Sequence, residues 1–128
     1  MLENLENITI LGDFNFVTSI LDRNSQSLNR NDLETMKNWI PFEGKYNLQD
    51  SFRLNQPHRR LYSFSSRANA TIKSRIDRIY LSSNLCGKVQ STKYILNTAS
   101  DHKIVKLKIA FGVEKGPGLW VFNNTLPK

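Results

Sequence analysis

The apolar positions of this chain change period several times along its length, and each change predicts an element. Residues 8–11 (Ile8-Thr9-Ile10-Leu11) form a short apolar run that leads into Gly12-Asp13-Phe14-Asn15-Phe16. That reads as a buried strand ending in a loop. The Asn- and Ser-rich stretch 22–31 reads as a loop. Asn31 opens a capping pattern with Glu34 three residues on, and Leu33, Met36 and Ile40 then recur at helical spacing. A short amphipathic helix is therefore expected, stopped by Pro41. Residues 48–52 are expected as a short helical or turn segment. Residues 61–65 and 75–81 read as strands, the second with Asp77, Ile79 and Leu81 on one face. Ser82-Ser83-Asn84 marks a turn, and residues 88–96 read as a further strand. The sharpest alternation comes last. Val105, Leu107, Ile109 and Phe111 alternate with Lys106, Lys108 and Ala110, which predicts a strand with one apolar and one wet face. Gly112 and Gly116-Pro117-Gly118 close it. The expected class is a strand-rich α/β fold, with no internal repeat.

Composition narrows the picture. The chain has 128 residues, a single domain's worth, and enough aromatic residues (7 Phe, 4 Tyr, 2 Trp) to build a core. No apolar run approaches the ~20 residues of a membrane span, and no secretory leader is read at the start. An intracellular location is expected, nuclear if the chain is functional. The lone Cys86 excludes an internal disulfide and a cysteine metal cage.

Charge changes the picture more. The net charge is +7, and it is unevenly placed. Residues 1–50 hold eight acids and four bases, whereas residues 53–113 hold twelve bases and two acids, Asp77 and Asp101. The basic stretch containing Arg59, Arg60, Arg67 and Arg75 suits a polyanion such as DNA. Isolated carboxylates inside a positive region are candidates for specific chemistry. Asp13 and Asn15, two residues apart after a strand, pair a proton acceptor with an amide able to hold a phosphate oxygen. Ser100-Asp101-His102 precedes the alternating strand, so His102 sits at a strand mouth. Its ring needs an acid to hold the second nitrogen, and Asp77 is the candidate. Asp101 is a candidate metal ligand, in a site suited to Mg²⁺, with Mn²⁺ possible. Each feature alone is an ordinary polar turn. Together they outline a site for metal-assisted phosphodiester cleavage.

The ordered set Gly12-Asp13-Phe14-Asn15, Tyr62-Ser63-Phe64, Ser74-Arg75-Ile76-Asp77-Arg78-Ile79 and Ser100-Asp101-His102 resembles the endonuclease/exonuclease/phosphatase superfamily. It is most similar to the endonuclease domain of non-LTR (LINE-type) retrotransposons, whose relatives include apurinic endonucleases and DNase I. The resemblance implies about half of a four-layered, DNase I-like α/β sandwich, with the N-terminal half missing. It assigns residues 1–113 to the C-terminal part of such a domain. It assigns residues 114–128 to a connector resembling the one that leads to a reverse transcriptase.

By resemblance, Asp13 activates the attacking water, Asn15 holds the scissile phosphate, and Ser63 and Ser100 are further phosphate contacts. Asp77 orients the catalytic His102, which stabilises the pentacovalent phosphorus, and Asp101 lies next to metal and water. The implied function is a truncated Mg²⁺-dependent DNA endonuclease of a retrotransposon-like element, inactive or weak alone because the family's early Asn and metal-binding Glu find no match. The implied partners are DNA and a reverse transcriptase domain in the parent polyprotein, with self-association through an uncovered sheet face and no membrane. Two alternatives stay open: a non-catalytic nucleic-acid-binding module, and a phosphoesterase acting on a small phosphorylated substrate.

Overall fold

The structure is a computed structural model that describes residues 6–112. The expected connector at 114–128 lies outside the described residues. Seven strands and three helices follow one another along the described residues. Strand β1 (Thr9–Asp13) runs through a single 3-10 turn to α1 (Arg30–Lys45), β2 (Leu48–Asp50) and α2 (Ser51–Asn55). Next come β3 (Phe64–Ser65), β4 (Lys73–Ser74), β5 (Asp77–Ser82), α3 (Ser83–Cys86), β6 (Val89–Ile95) and β7 (Ile104–Ile109). The class is α/β, as expected.

The central sheet is antiparallel with β5 between β1 and β2. A central strand is buried on both faces, and Arg78, Ile79, Tyr80, Leu81 and Ser82 are all buried. Asp77, Ile79 and Leu81 share one face of this strand, and the opposite face is buried as well. β3 pairs with β4, and β6 pairs with β7 as a separate antiparallel ribbon. In β7 the expected alternation is present: Val105, Leu107 and Ile109 are half-buried, while Lys106 and Lys108 are exposed. Residues 61–65 pair as a strand only at Phe64–Ser65, and residues 48–52 divide between β2 and the start of α2. The expected turn at Ser82-Ser83-Asn84 opens a short helix, α3.

Helix α1 differs from its expected form at both ends. Its N-cap is Asn29, in a capping box with Asp32 instead of Glu34. Asp32 is fully buried because it has further partners: Arg23 binds it through two nitrogens, and the Val17 amide donates to it. At the other end Pro41 lies inside the helix. Proline removes one amide donor, but Pro41 is exposed, and the next turn is held by aromatic packing. Trp39 packs on Phe42, and Phe42 on Tyr46. The contact face is also not the expected one, since Leu33 and Ile40 are half exposed at 52% and 48%. Trp39 instead meets Phe14, Phe16 and Tyr80. The Arg78 guanidinium sits over the rings of Phe14, Phe16 and Tyr80, and it donates to the Phe16 carbonyl. This aromatic–cation cluster pins the segment after β1 to β5, directly behind the residues described next.

Candidate active site

The register of the central sheet creates the site. In the β1–β5 pairing Asp13 lies directly opposite Asp77. Two carboxylates facing each other across a ladder repel, so this register needs a cation or a proton nearby. His102 supplies it. Its Nδ1 is 2.8 Å from an Asp77 oxygen, and its Nε2 is 3.9 Å from an Asp13 oxygen.

Each member is held by backbone bonds whose origin is local. The segment carrying His102 zips onto β3: the Ser65 amide donates to the Asp101 carbonyl at 3.1 Å, and the Lys103 amide to the Ser63 carbonyl at 2.7 Å. Phe64 and His102 form a β-bridge, with ring centroids 5.0 Å apart. The Ser100 hydroxyl accepts from the His102 amide at 3.1 Å, a local turn that fixes the approach of the ring. Asp77 is clamped from two sides. Its amide donates to the Ser63 hydroxyl at 3.0 Å, and its carbonyl accepts from the Tyr94 hydroxyl at 2.7 Å. Asp13 ends β1. Gly12 just before it has φ of 147°, a backbone region that side-chain-bearing residues rarely enter.

Burial pulls His102 toward the neutral form, but the hydrogen bond and charge of Asp77, then the charges of Asp13 and Asp101, outweigh it. The net result is a histidine that holds its proton above the ordinary imidazole range. When charged, the ring donates from both nitrogens. Nδ1 is turned to Asp77, and Nε2 is turned toward Asp13. Asp13, Asp77 and His102 each also offer a ligand atom within 4.8 Å of the others, a grouping able to hold a metal ion. The hard carboxylate oxygens suit Mg²⁺ or Mn²⁺, while Nδ1 of His102 is already occupied by Asp77.

The remaining expected residues fall into place unevenly. Asn15 is exposed and adjoins the trio, but not by strand alternation. The strand has ended, Asn15 has φ of 57°, and its amide donates to the Asp13 side chain at 2.9 Å. Asp101 stands outside the close trio and acts on it through its charge on His102. It lines, with Ser100, Tyr62, Phe64 and Leu96, a cleft of about 260 Å³ beside His102. Arg59, Arg60 and Arg67 are exposed.

Two of the expected contact residues are buried. Ser63 is 1% exposed, and its hydroxyl accepts from the amides of Ile76 and Asp77, so it positions Asp77. Arg75 is 0% exposed and is not a surface cation. It binds the carboxylates of Asp22 and Asp50 and donates to the Tyr94 hydroxyl, the outcome for a buried charge that needs full pairing. Sequence reasoning missed Tyr94, which joins this ion network to Asp77. It also missed Phe64 as the surface behind His102. The only trace in the sequence was the position of Phe64 within Tyr62-Ser63-Phe64.

Comparison with known proteins follows this geometry. No known family profile matches the chain. A curated relative, the transposon TX1 uncharacterized 149 kDa protein of Xenopus laevis, is 32% identical over 98% of this chain. Among solved structures, the 3'-5' exonuclease NExo from Neisseria meningitidis superposes with a TM-score of 0.69 at 19% identity, covering 84% of this chain. The 3' phosphatase NExo (D146N) from Neisseria, bound to a product DNA hairpin, gives 0.68 at 18% identity over 84%. The fold is DNase I-like. This chain spans about half of each of those solved chains, at 47%, and 10% of the transposon protein.

Proposed function

We propose that this chain carries the acid–histidine cluster of a Mg²⁺-dependent DNA endonuclease from a retrotransposon-like element, and that alone it nicks DNA only weakly. The observation that carries the reading is the Asp13–His102–Asp77 arrangement at one rim of the central sheet. Similarity to a transposon protein supports the element, and likeness to an exonuclease and a 3' phosphatase supports phosphoester hydrolysis. Weak activity fits a chain that spans about half of those neighbours.

In this reading Asp77 fixes the ring of His102, and the Nε2 proton is offered to a phosphoryl oxygen as negative charge develops on it. Asp13, exposed and acceptor-only when ionised, takes a proton from the attacking water. Asn15, at the same rim, holds a non-bridging oxygen. Asp13 and Asp77, with Asp101 nearby, would hold a divalent cation, which supplies polarisation of the phosphorus–oxygen bonds when bound.

The test is conversion of supercoiled plasmid to open circles with Mg²⁺ at high protein concentration. Slow, metal-dependent nicking that His102→Ala abolishes is expected. Nicking that survives His102→Ala overturns the reading. DNA binding without any cutting favours the non-catalytic nucleic-acid-binding module, and turnover of a small phosphoester but not DNA favours the phosphoesterase. Trimming only at 3' ends would assign the chain the 3'-5' exonuclease chemistry named for its structural neighbour.

A further inference from the structure

The β6–β7 ribbon carries a feature that the acid–histidine cluster does not use. Residues 88–110 contain five lysines (Lys88, Lys93, Lys103, Lys106 and Lys108) and one acid, Asp101. The antiparallel register places Lys93 directly opposite Lys106 and Ser91 opposite Lys108. Like charges directly opposed across a ladder are destabilising. None of Lys93, Lys106 and Lys108 has an ion-pair partner among the described residues, and all three are exposed. The ribbon could have avoided this repulsion with one acid or amide.

The lysine face is also distinct from the face that lies toward the cluster. Lys103 and Val105 line a cavity of about 200 Å³ together with Asp13 and Asp77. Strand alternation turns Lys106 and Lys108 to the opposite side. Successive lysines on one face of a strand stand about 6.8 Å apart, which sets a row of positive charge against a duplex that carries one phosphate charge per ~3.4 Å of helix axis on each strand. The cross-strand pair Ile95 and Ile104 on this face is about half exposed at 44% and 53%, and Leu96 and Phe111 are exposed just past the strand ends. The face presents three lysines, and neither β6 nor β7 contains an acid, so its charge suits a phosphate backbone.

We propose that the outer face of the β6–β7 ribbon, through Lys93, Lys106 and Lys108, docks a duplex nucleic-acid backbone outside the cleavage rim. The proposal deepens the nuclease reading, because it names where the polyanion is held away from the reacting phosphate. Its test separates the two. Binding of the full chain to a fluorescein-labelled mixed-sequence DNA duplex is measured across a salt series. The triple variant Lys93→Gln/Lys106→Gln/Lys108→Gln should bind on the order of tenfold more weakly at low salt, and its slope of log K against log salt should flatten by about 2.7. The same loss of three charges on α1, through Arg30→Gln/Lys37→Gln/Lys45→Gln, should have a much smaller effect. Equal losses in the two variants overturn the proposal, as does tighter binding of the wild type to phosphatidylserine vesicles than to DNA.

The double variant Asp13→Asn/His102→Ala should lose nicking and keep this binding. A failed nuclease reading therefore leaves the docking result intact. Amine-reactive footprinting of the wild-type chain needs no variant. DNA should protect Lys93, Lys106 and Lys108 and leave Lys37 labelled, whereas uniform labelling with and without DNA overturns the proposal.

Discussion

His102 gains its proton affinity from its surroundings, and the sign of that effect makes a prediction. Burial disfavours the charged ring, yet Asp77, Asp13 and Asp101 together raise its affinity above the ordinary value near 6.5. A raised value in the folded state means that the interaction stabilises the fold below the unfolded pKa. The contribution is then lost as pH rises through the higher folded value. A proton NMR titration of the metal-free chain should place the His102 midpoint above ordinary imidazole, and Asp77→Asn should move it down. Identical midpoints in the two proteins would show that the 2.8 Å contact does not couple them.

Asp32 follows the opposite sign. Burial raises its pKa, but Arg23 and the amides of Val17 and Asn29 outweigh that and hold it below its usual 3.8. Its contribution is present above the unfolded value and is lost as pH falls through the lower folded one. Asp32→Ala removes one partner of a buried pair and should cost about 3–5 kcal/mol in urea denaturation. A cost below about 1 kcal/mol would reduce the pair to the worth of a surface contact.

At the scale of elements, the end of β1 controls where the carboxylate goes. Gly12 has open space where a Cβ would sit, so a substitution there is not blocked by a clash. The obstacle is its φ of 147°, which a side chain disfavours. Gly12→Ala should therefore destabilise the chain by about 1–3 kcal/mol. It should also reduce nicking more than its stability loss explains, because Asp13 shifts with the strand end. Normal nicking at full occupancy of the folded state would detach the strand end from function. The same scale explains α1. A capping box, Arg23 and an aromatic ladder together carry the helix past Pro41, so a local breaker is overruled by contacts on both of its sides.

At the scale of the whole molecule, Arg75 joins parts of the chain far apart in sequence. It reaches Asp22 beside the 3-10 turn, Asp50 at the end of β2 and Tyr94 on β6. Tyr94 in turn bonds the Asp77 carbonyl, and burial pushes its hydroxyl up to about 12, so it stays a donor at neutral pH. Arg75→Ala should cost about 3–5 kcal/mol and leave the salt slope of DNA binding unchanged. A flattened slope would return Arg75 to the DNA surface. The sheet edge makes a separate prediction. β1 is an outer strand of the sheet formed by the described residues, and Leu11 on it is 67% exposed. Such an edge invites association. Sedimentation velocity should show concentration-dependent assembly that Leu11→Lys suppresses; a monomer at all concentrations would leave the edge inert.

Period and motif order are local properties written in consecutive residues, so they were enough for the α/β class and the alternating β7, and they singled out Asp13, Asp77 and His102 as candidates. The burial of Arg75 and Ser63 was not legible in the sequence, since a basic side chain in a basic stretch and a hydroxyl in a motif look the same whether exposed or buried. Only the tertiary structure decided those. Burial and pairing depend on residues 25 to 53 positions away, such as Asp50 and Asp22 for Arg75. The facing of Asp13 and Asp77 is likewise a matter of strand register, which long-range packing sets.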